Sequence, residues 1–158
     1  MSAKVIDMAG LVAELANQRA AGRTVALTNG AFDLLHVGHL RYLVGASRLA
    51  DILVVAINSD DSVRRLKGAD RPIYPENERL ELVAALEVVD YVVLFEQDDV
   101  RDVIRKLKPD VHVKGTDYTP ETIPERDEVL DYGGQVAVAG DPKDHSTSEI
   151  LKKFSKGN

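Results

Sequence analysis

The 158 residues include no cysteine and no tryptophan. Without thiols there is no disulfide, no thiolate zinc site and no cysteine nucleophile, so stability has to come from packing. Positive charge is not in excess either. Twenty basic and 26 acidic residues give a net charge of −6, mixed along the chain, and no basic stripe suited to a nucleic-acid backbone stands out. Nucleic acid is therefore not an expected partner. No stretch approaches the roughly 20 apolar residues of a membrane span, and the opening MSAKVIDMAG has no long apolar core of a signal peptide. A soluble, cytoplasmic protein with no membrane partner is the expectation. The usual nucleotide and hydrolase signatures are also missing: no G-x-x-x-x-G-K-[ST] loop, no G-x-G-x-x-G and no G-x-S-x-G elbow. Nor is there a fixed-period repeat, a low-complexity tract or a linker, and a chain of this length with 44% hydrophobic residues suits a single domain over residues 1–158.

What is present is alternation. Apolar residues at helical spacing (Met8, Leu11, Val12, Leu15) predict a first helix that stops at Gly22. Short apolar, β-branched runs then read as strands at residues 24–28, 51–58, 91–95, 110–115 and 135–140, separated by helical patterns at 39–49, 60–65, 77–86, 100–107, 124–132 and 146–154. Five apolar strands with helical crossovers predict an α/β fold, a Rossmann-like doubly wound parallel five-stranded sheet with helices on both faces. Ligands of such folds sit beyond the carboxyl ends of the strands, so the loop after each strand is where chemistry is expected.

The first of these loops is the most unusual. TNGAFDLLHVGHLRYL (residues 28–43) sets His36 and His39 three residues apart where a strand gives way to a helix. A helix starting there offers unpaired backbone N–H groups and a partial positive charge, both favourable to an anion, and Gly38 lets a bulky ligand approach the backbone. Two imidazoles would complete a phosphate site. The alternatives are a tight strand–helix turn with one histidine as a cap, and a metal site. For metal, only Asp33 stands near, with no third imidazole or His-Glu-x-x-His pattern.

NGAFDLLHVGHLRYL resembles the signature of the HxGH nucleotidyltransferases, the cytidylyltransferase-like family. The likeness runs from about Thr24 to Ile150. INSDDSVRRLKGADRPIYPENERLELVAALEVVDYVVLF, VKGTDY and STSEI, in that order, are most similar to the adenylyltransferases that act on heptose 1-phosphate. That resemblance implies transfer of AMP from ATP, with Mg²⁺ as the cofactor, to D-glycero-β-D-manno-heptose 1-phosphate in bacterial lipopolysaccharide biosynthesis, by a homo-oligomer, dimer or larger. It implies that His36, His39 and Lys67 serve the phosphates and the transition state. The nucleotide would be held by Asn29, Gly30, Phe32, Asp33, Gly38, Arg79, Gly115, Asp117, Tyr118, Ser146, Thr147 and Ser148.

Each of these has a plainer reading too. Asp33 either helps to bind Mg²⁺ or orders its turn; Lys67 is otherwise a solvated surface lysine; Arg79 otherwise pairs within its helix; Tyr118 otherwise simply packs; residues 146–148 otherwise only cap a helix. His112, inside a strand, reads as structural. Related glycerol-phosphate cytidylyltransferases carry Arg-Thr-x-Gly-Ile before the final Ser-Thr, where this chain has DPKDH, so Lys143 or His145 is expected to supply the charge. Fused relatives carry a sugar kinase domain for which 158 residues leave no room, so a standalone enzyme is expected. Two further readings stay open: a cytidylyltransferase for glycerol 3-phosphate or another polyol phosphate, and a non-catalytic nucleotide-binding module.

Overall fold

The computed structural model describes residues 4–142 and 146–156. Five parallel strands lie in the order β3-β2-β1-β4-β5: β1 (Val25–Gly30), β2 (Ile52–Asn58), β3 (Tyr91–Phe95), β4 (Val111–Lys114) and β5 (Gln135–Val138). Around them run α1 (Met8–Ala20), α2 (Val37–Ser47), α3 (Asp60–Lys67), α4 (Glu76–Ala84), α5 (Arg101–Leu107), α6 (Arg126–Asp131) and α7 (Thr147–Ser155). The expected doubly wound sheet is what forms. From β1 the chain winds out to β2 and β3, then crosses back to β4 and β5 on the other side of β1. The topological switch point, where such folds open a crevice, is therefore between β1 and β4.

The strands read as near-continuous apolar runs because both faces of the sheet are covered. Period two then sorts each run into two cores. Ile52, Val54 and Ala56 of β2 join Leu11 and Leu15 of α1 and Val103, Ile104 and Leu107 of α5, whereas Leu53, Val55 and Ile57 meet Leu43 and Ala46 of α2 and Leu80 and Val83 of α4. At the amino end of the sheet, aspartates hold neighbouring strands in register. Asp51 accepts from the Thr24 amide at 2.9 Å, Asp90 from Leu53 at 2.8 Å and Asp110 from Val25 at 2.8 Å. Beyond the expected elements, residues 4–6 run beside β3, with Ile6 N–H donating to the Val92 carbonyl and Val92 N–H to that of Lys4, which covers an otherwise open edge.

Two boundaries differ from expectation in ways that matter. Helix α2 begins at Val37 rather than His39, so His36 is the N-cap and His39 the third helical residue. Strand β5 ends at Val138 rather than Gly140, which releases residues 139–142 to cross over α2. Gly45 of α2 allows that crossing: a Cβ there would stand 3.1 Å from Ala139 Cβ and 3.3 Å from the Gly140 amide nitrogen. Gly140 itself has φ +98°, a conformation glycine adopts without strain.

Candidate active site

A cavity of about 550 Å³ opens at the carboxyl ends of the strands, in the size range of small-molecule sites. Every part of its wall comes from a segment that follows a strand: His36 to Tyr42 after β1, Lys67 and Arg71 after β2, Gly115 to Asp117 after β4, and residues 139–142 and 146–148 after β5. The protein carries net negative charge, yet Arg41, Lys67 and Arg71 share this wall with the two histidines and, among the described residues, with Asp117 and Asp141 as acids, of which Asp141 pairs with Arg41 at 3.0 Å. Acidic groups tie the other end of the sheet; cationic groups collect here. The cavity suits a polyanion.

The histidine pair is both scaffold and site. His36 Nδ1 accepts the Gly38 amide at 3.1 Å, and His39 Nδ1 accepts the His36 amide at 3.3 Å, a capping box built from two imidazoles instead of a hydroxyl and a carboxylate. Because both Nδ1 atoms are acceptors, each neutral ring carries its proton on Nε2, as a hydrogen-bond donor. The rings stack with centroids 3.9 Å apart, and Phe32 lies against His39 at 5.3 Å. Each Nδ1 is thus committed to closing the amino end of α2. The turn reading and the phosphate reading therefore describe the same geometry.

Several expected nucleotide contacts are elsewhere. Arg79 is fully buried, donating from Nε to the Tyr74 carbonyl at 3.0 Å, from Nη1 to the carbonyls of Ala31 and Asn58 at 2.7 and 2.8 Å, and from Nη2 to Asp60 at 2.8 Å. It ties loops together below the cavity, and its partner is Asp60, not a glutamate of its own helix. Phe32 is buried in the core shared with α2 and α4, at φ +48°, and its ring occupies the space a side chain at Gly30 would need, with a Cβ there only 3.1 Å from Phe32 Cε2. Asn29 accepts from Lys114 Nζ at 3.3 Å, and Lys114 in turn lies 5.3 Å from the Tyr118 ring centroid, so Asn29 and Tyr118 flank Lys114 rather than the cavity.

Asp33 is engaged with the segment that precedes α4. Its buried carboxylate accepts the amides of Ile73 and Tyr74 and the Arg71 Nε, all at 2.9 Å. Burial alone would raise its pKa, but the Tyr74 and Ile73 amides and the Arg71 guanidinium outweigh it and hold the carboxyl below its ordinary range. Among the described residues no group of three or more His, Cys, Asp or Glu side chains is gathered that could hold a metal ion. Gly38, Gly115, Asp117 and residues 146–148 line the cavity. Ser146 also caps α7, accepting the Glu149 amide at 3.1 Å. Lys143 and His145 lie outside the described residues.

The sequence reading did not single out Arg41, Tyr42, Thr116 or residues 139–142. Their signal was present in part: Tyr42 and Gly45 are three apart on α2 and so share the face that meets the 139–140 crossing. Tyr42 Oη donates to the Val113 carbonyl at 2.7 Å, and burial raises its pKa, keeping the phenol a neutral donor. Thr116 Oγ1 donates to the Asp141 carbonyl at 2.8 Å, joining the loops after β4 and β5. His112 is structural as expected, 3.3 Å from the Glu125 carboxylate.

The cytidylyltransferase-like family model matches residues 27–153. Proteins called bifunctional protein HldE are similar to this chain: that of Syntrophotalea carbinolica is 50% identical over 87% of the chain and 28% of its own length, and that of Trichlorobacter lovleyi 51% over 88% and 28%. That of Cronobacter sakazakii is 46% identical over 98% of the chain and 32% of its own length. The chain thus spans about a third or less of these relatives. A solved structure, the lipopolysaccharide core biosynthesis protein of Thermoplasma volcanium, superposes with a TM-score of 0.66 at 29% identity, covering 77% of this chain and all of the other.

Two outcomes follow from the buried ion pairs. Arg79→Met leaves three carbonyls and Asp60 without their donor and is expected to cost about 3–5 kcal/mol, read as a lowered urea midpoint. Asp33, with its depressed pKa, contributes stability that is complete above the ordinary carboxyl pKa and lost as the pH falls through the lower folded-state value. Thermal midpoints followed from neutral pH into acid should therefore fall less steeply for Asp33→Asn than for the natural chain, from a lower starting value.

Proposed function

Since this chain belongs to the cytidylyltransferase-like family, we propose that it transfers AMP from ATP to D-glycero-β-D-manno-heptose 1-phosphate, releasing pyrophosphate and forming ADP-heptose. The choice of acceptor is supported by the relatives called HldE and by the lipopolysaccharide core biosynthesis protein among solved structures. The observation that carries the reaction is the pair of Nε2–H donors at the amino end of α2, on the wall of a cationic cavity. ATP as donor assigns the reaction to the cytoplasm.

An oxygen of the acceptor phosphate attacks the α-phosphorus of ATP. A new P–O bond forms as the bond to the β-phosphate bridging oxygen breaks, and pyrophosphate leaves with that electron pair. No covalent enzyme intermediate is needed; the protein aligns two anions and stabilises the charge that grows on the non-bridging and departing oxygens. His36 and His39 donate from Nε2 to those oxygens without a change of protonation state. Being fixed through Nδ1, the rings need little reorganisation in the transition state. Lys67, on the last turn of α3 before Gly68, brings a flexible ammonium to the same phosphates. The nucleoside lies toward Gly115–Asp117 and the backbone of residues 139–142, with the Ser146–Ser148 turn as a second set of donors. The described carboxylates form no cage for a metal, and Asp33 is already engaged by three donor groups. Mg²⁺ bound with ATP would neutralise phosphate charge during the transfer.

Pyrophosphate release, with ATP and CTP each crossed against heptose 1-phosphate and glycerol 3-phosphate, tests the reading. Release with ATP and heptose 1-phosphate alone is expected. Activity confined to CTP and glycerol 3-phosphate would replace both substrates, and no release from any pairing would favour a binding module. The histidine roles have their own test. His39→Ala should lower kcat by about 100-fold or more, and His39→Gln, which keeps an acceptor at the third helical position, should recover stability but not rate. Unchanged kcat in a folded His39→Ala variant would remove His39 from the mechanism.

A further inference from the structure

Arg71 lines the cavity but has no part in the chemistry described so far. Its side chain is only 14% exposed, and among the described residues its one recorded partner is Asp33, reached through Nε at 2.9 Å. A guanidinium presents five N–H donors in a planar fork, so four on the Nη atoms remain for a ligand. The clamp on Asp33 fixes the arginine, because the same carboxylate holds the Ile73 and Tyr74 amides and so anchors the chain immediately after Arg71. Lys67 stands on the same connection and lines the same cavity, with Gly68 at φ +105° closing α3 between them. One fixed fork and one ammonium on a single wall suit an oxyanion with more than one charge.

Topology decides which oxyanion. The connection carrying Lys67 and Arg71 follows β2, on one side of β1, whereas Gly115–Asp117 and residues 139–142 follow β4 and β5 on the other. The amino end of α2, which follows β1, lies between. A nucleotide reaching from the β4–β5 loops to α2 leaves the β2 side for the second substrate. That substrate brings a phosphate dianion toward an α-phosphate that is itself anionic, so cations are needed on its side of approach.

We infer that Arg71 binds the phosphate of the acceptor, and that the Asp33 clamp makes it selective for phosphorylated acceptors. The inference rests on the nucleotidyl-transfer reading of the site but not on the identity of the sugar. It is tested by calorimetry on the full chain loaded with an ATP analogue carrying a methylene between the α- and β-phosphates, titrated with heptose 1-phosphate, glycerol 3-phosphate and inorganic phosphate. Arg71→Ala should weaken binding of the preferred phosphorylated acceptor by about 10- to 100-fold, the range of a charge-assisted hydrogen-bonded contact. Arg71→Lys should recover only part of it, and affinity for the ATP analogue should stay within about twofold in Arg71→Lys, which also reports an intact fold. A loss that falls on the ATP analogue in both variants, acceptor binding that survives Arg71→Ala, or a natural chain that binds none of the three phosphates overturns the inference. Arg71-dependent binding of glycerol 3-phosphate with none of heptose 1-phosphate would instead overturn the proposed acceptor and leave the role of Arg71 standing.

Discussion

The guanidinium of Arg79 joins segments that the sheet brings to one end but does not itself fix. A parallel sheet delivers the carboxyl end of every strand to the same side, yet the loops there lack ladder partners, and their backbone groups must be satisfied some other way. Arg79 accounts for three such carbonyls, of Ala31 after β1, Asn58 at the end of β2 and Tyr74 before α4, and adds an ion pair with Asp60 at the start of α3. Asp33 works from the opposite sign of charge, taking two amides and the Arg71 guanidinium. A buried cation and a buried anion, each held by backbone groups and one oppositely charged side chain, together stiffen the turn that leads into α2. On that turn His36 and His39 depend.

The capping box shows how structural and chemical tasks can share atoms. Each imidazole uses one nitrogen to close the helix and keeps the other as a donor. His36, His39 and Arg79 do not by themselves separate an enzyme from a binding module, because all three have folding roles. The separation rests on Lys67, on the cationic wall and on the family to which the chain belongs.

Charge is also segregated along the strand axis. Asp51, Asp90 and Asp110 sit at the amino ends of strands, each accepting a neighbouring strand's amide, while Arg41, Lys67 and Arg71 gather beside the two histidines at the carboxyl end. A net charge of −6 therefore coexists with a cavity wall that gathers three cationic side chains, and the bulk composition carried no information about this local sign.

Much of the architecture was legible because its physics is local. Apolar runs bounded by turn residues marked all five strands, the helical periods marked the crossovers, and the spacing of His36 and His39 marked a strand–helix junction that lines the cavity. What sequence could not decide was direction. Whether Arg79 faces phosphate or three carbonyls, whether Asp33 meets a metal or two amides, and whether Phe32 lines the cavity or fills the core are set by segments distant in sequence, which only tertiary packing brings within hydrogen-bond reach. Arg41, Tyr42 and the 139–142 crossing join the site for the same reason: the close contact at Gly45 is between residues almost a hundred positions apart. Patterning along the chain determined the elements and the end of the sheet that carries the chemistry; long-range packing decided which side chains reach it.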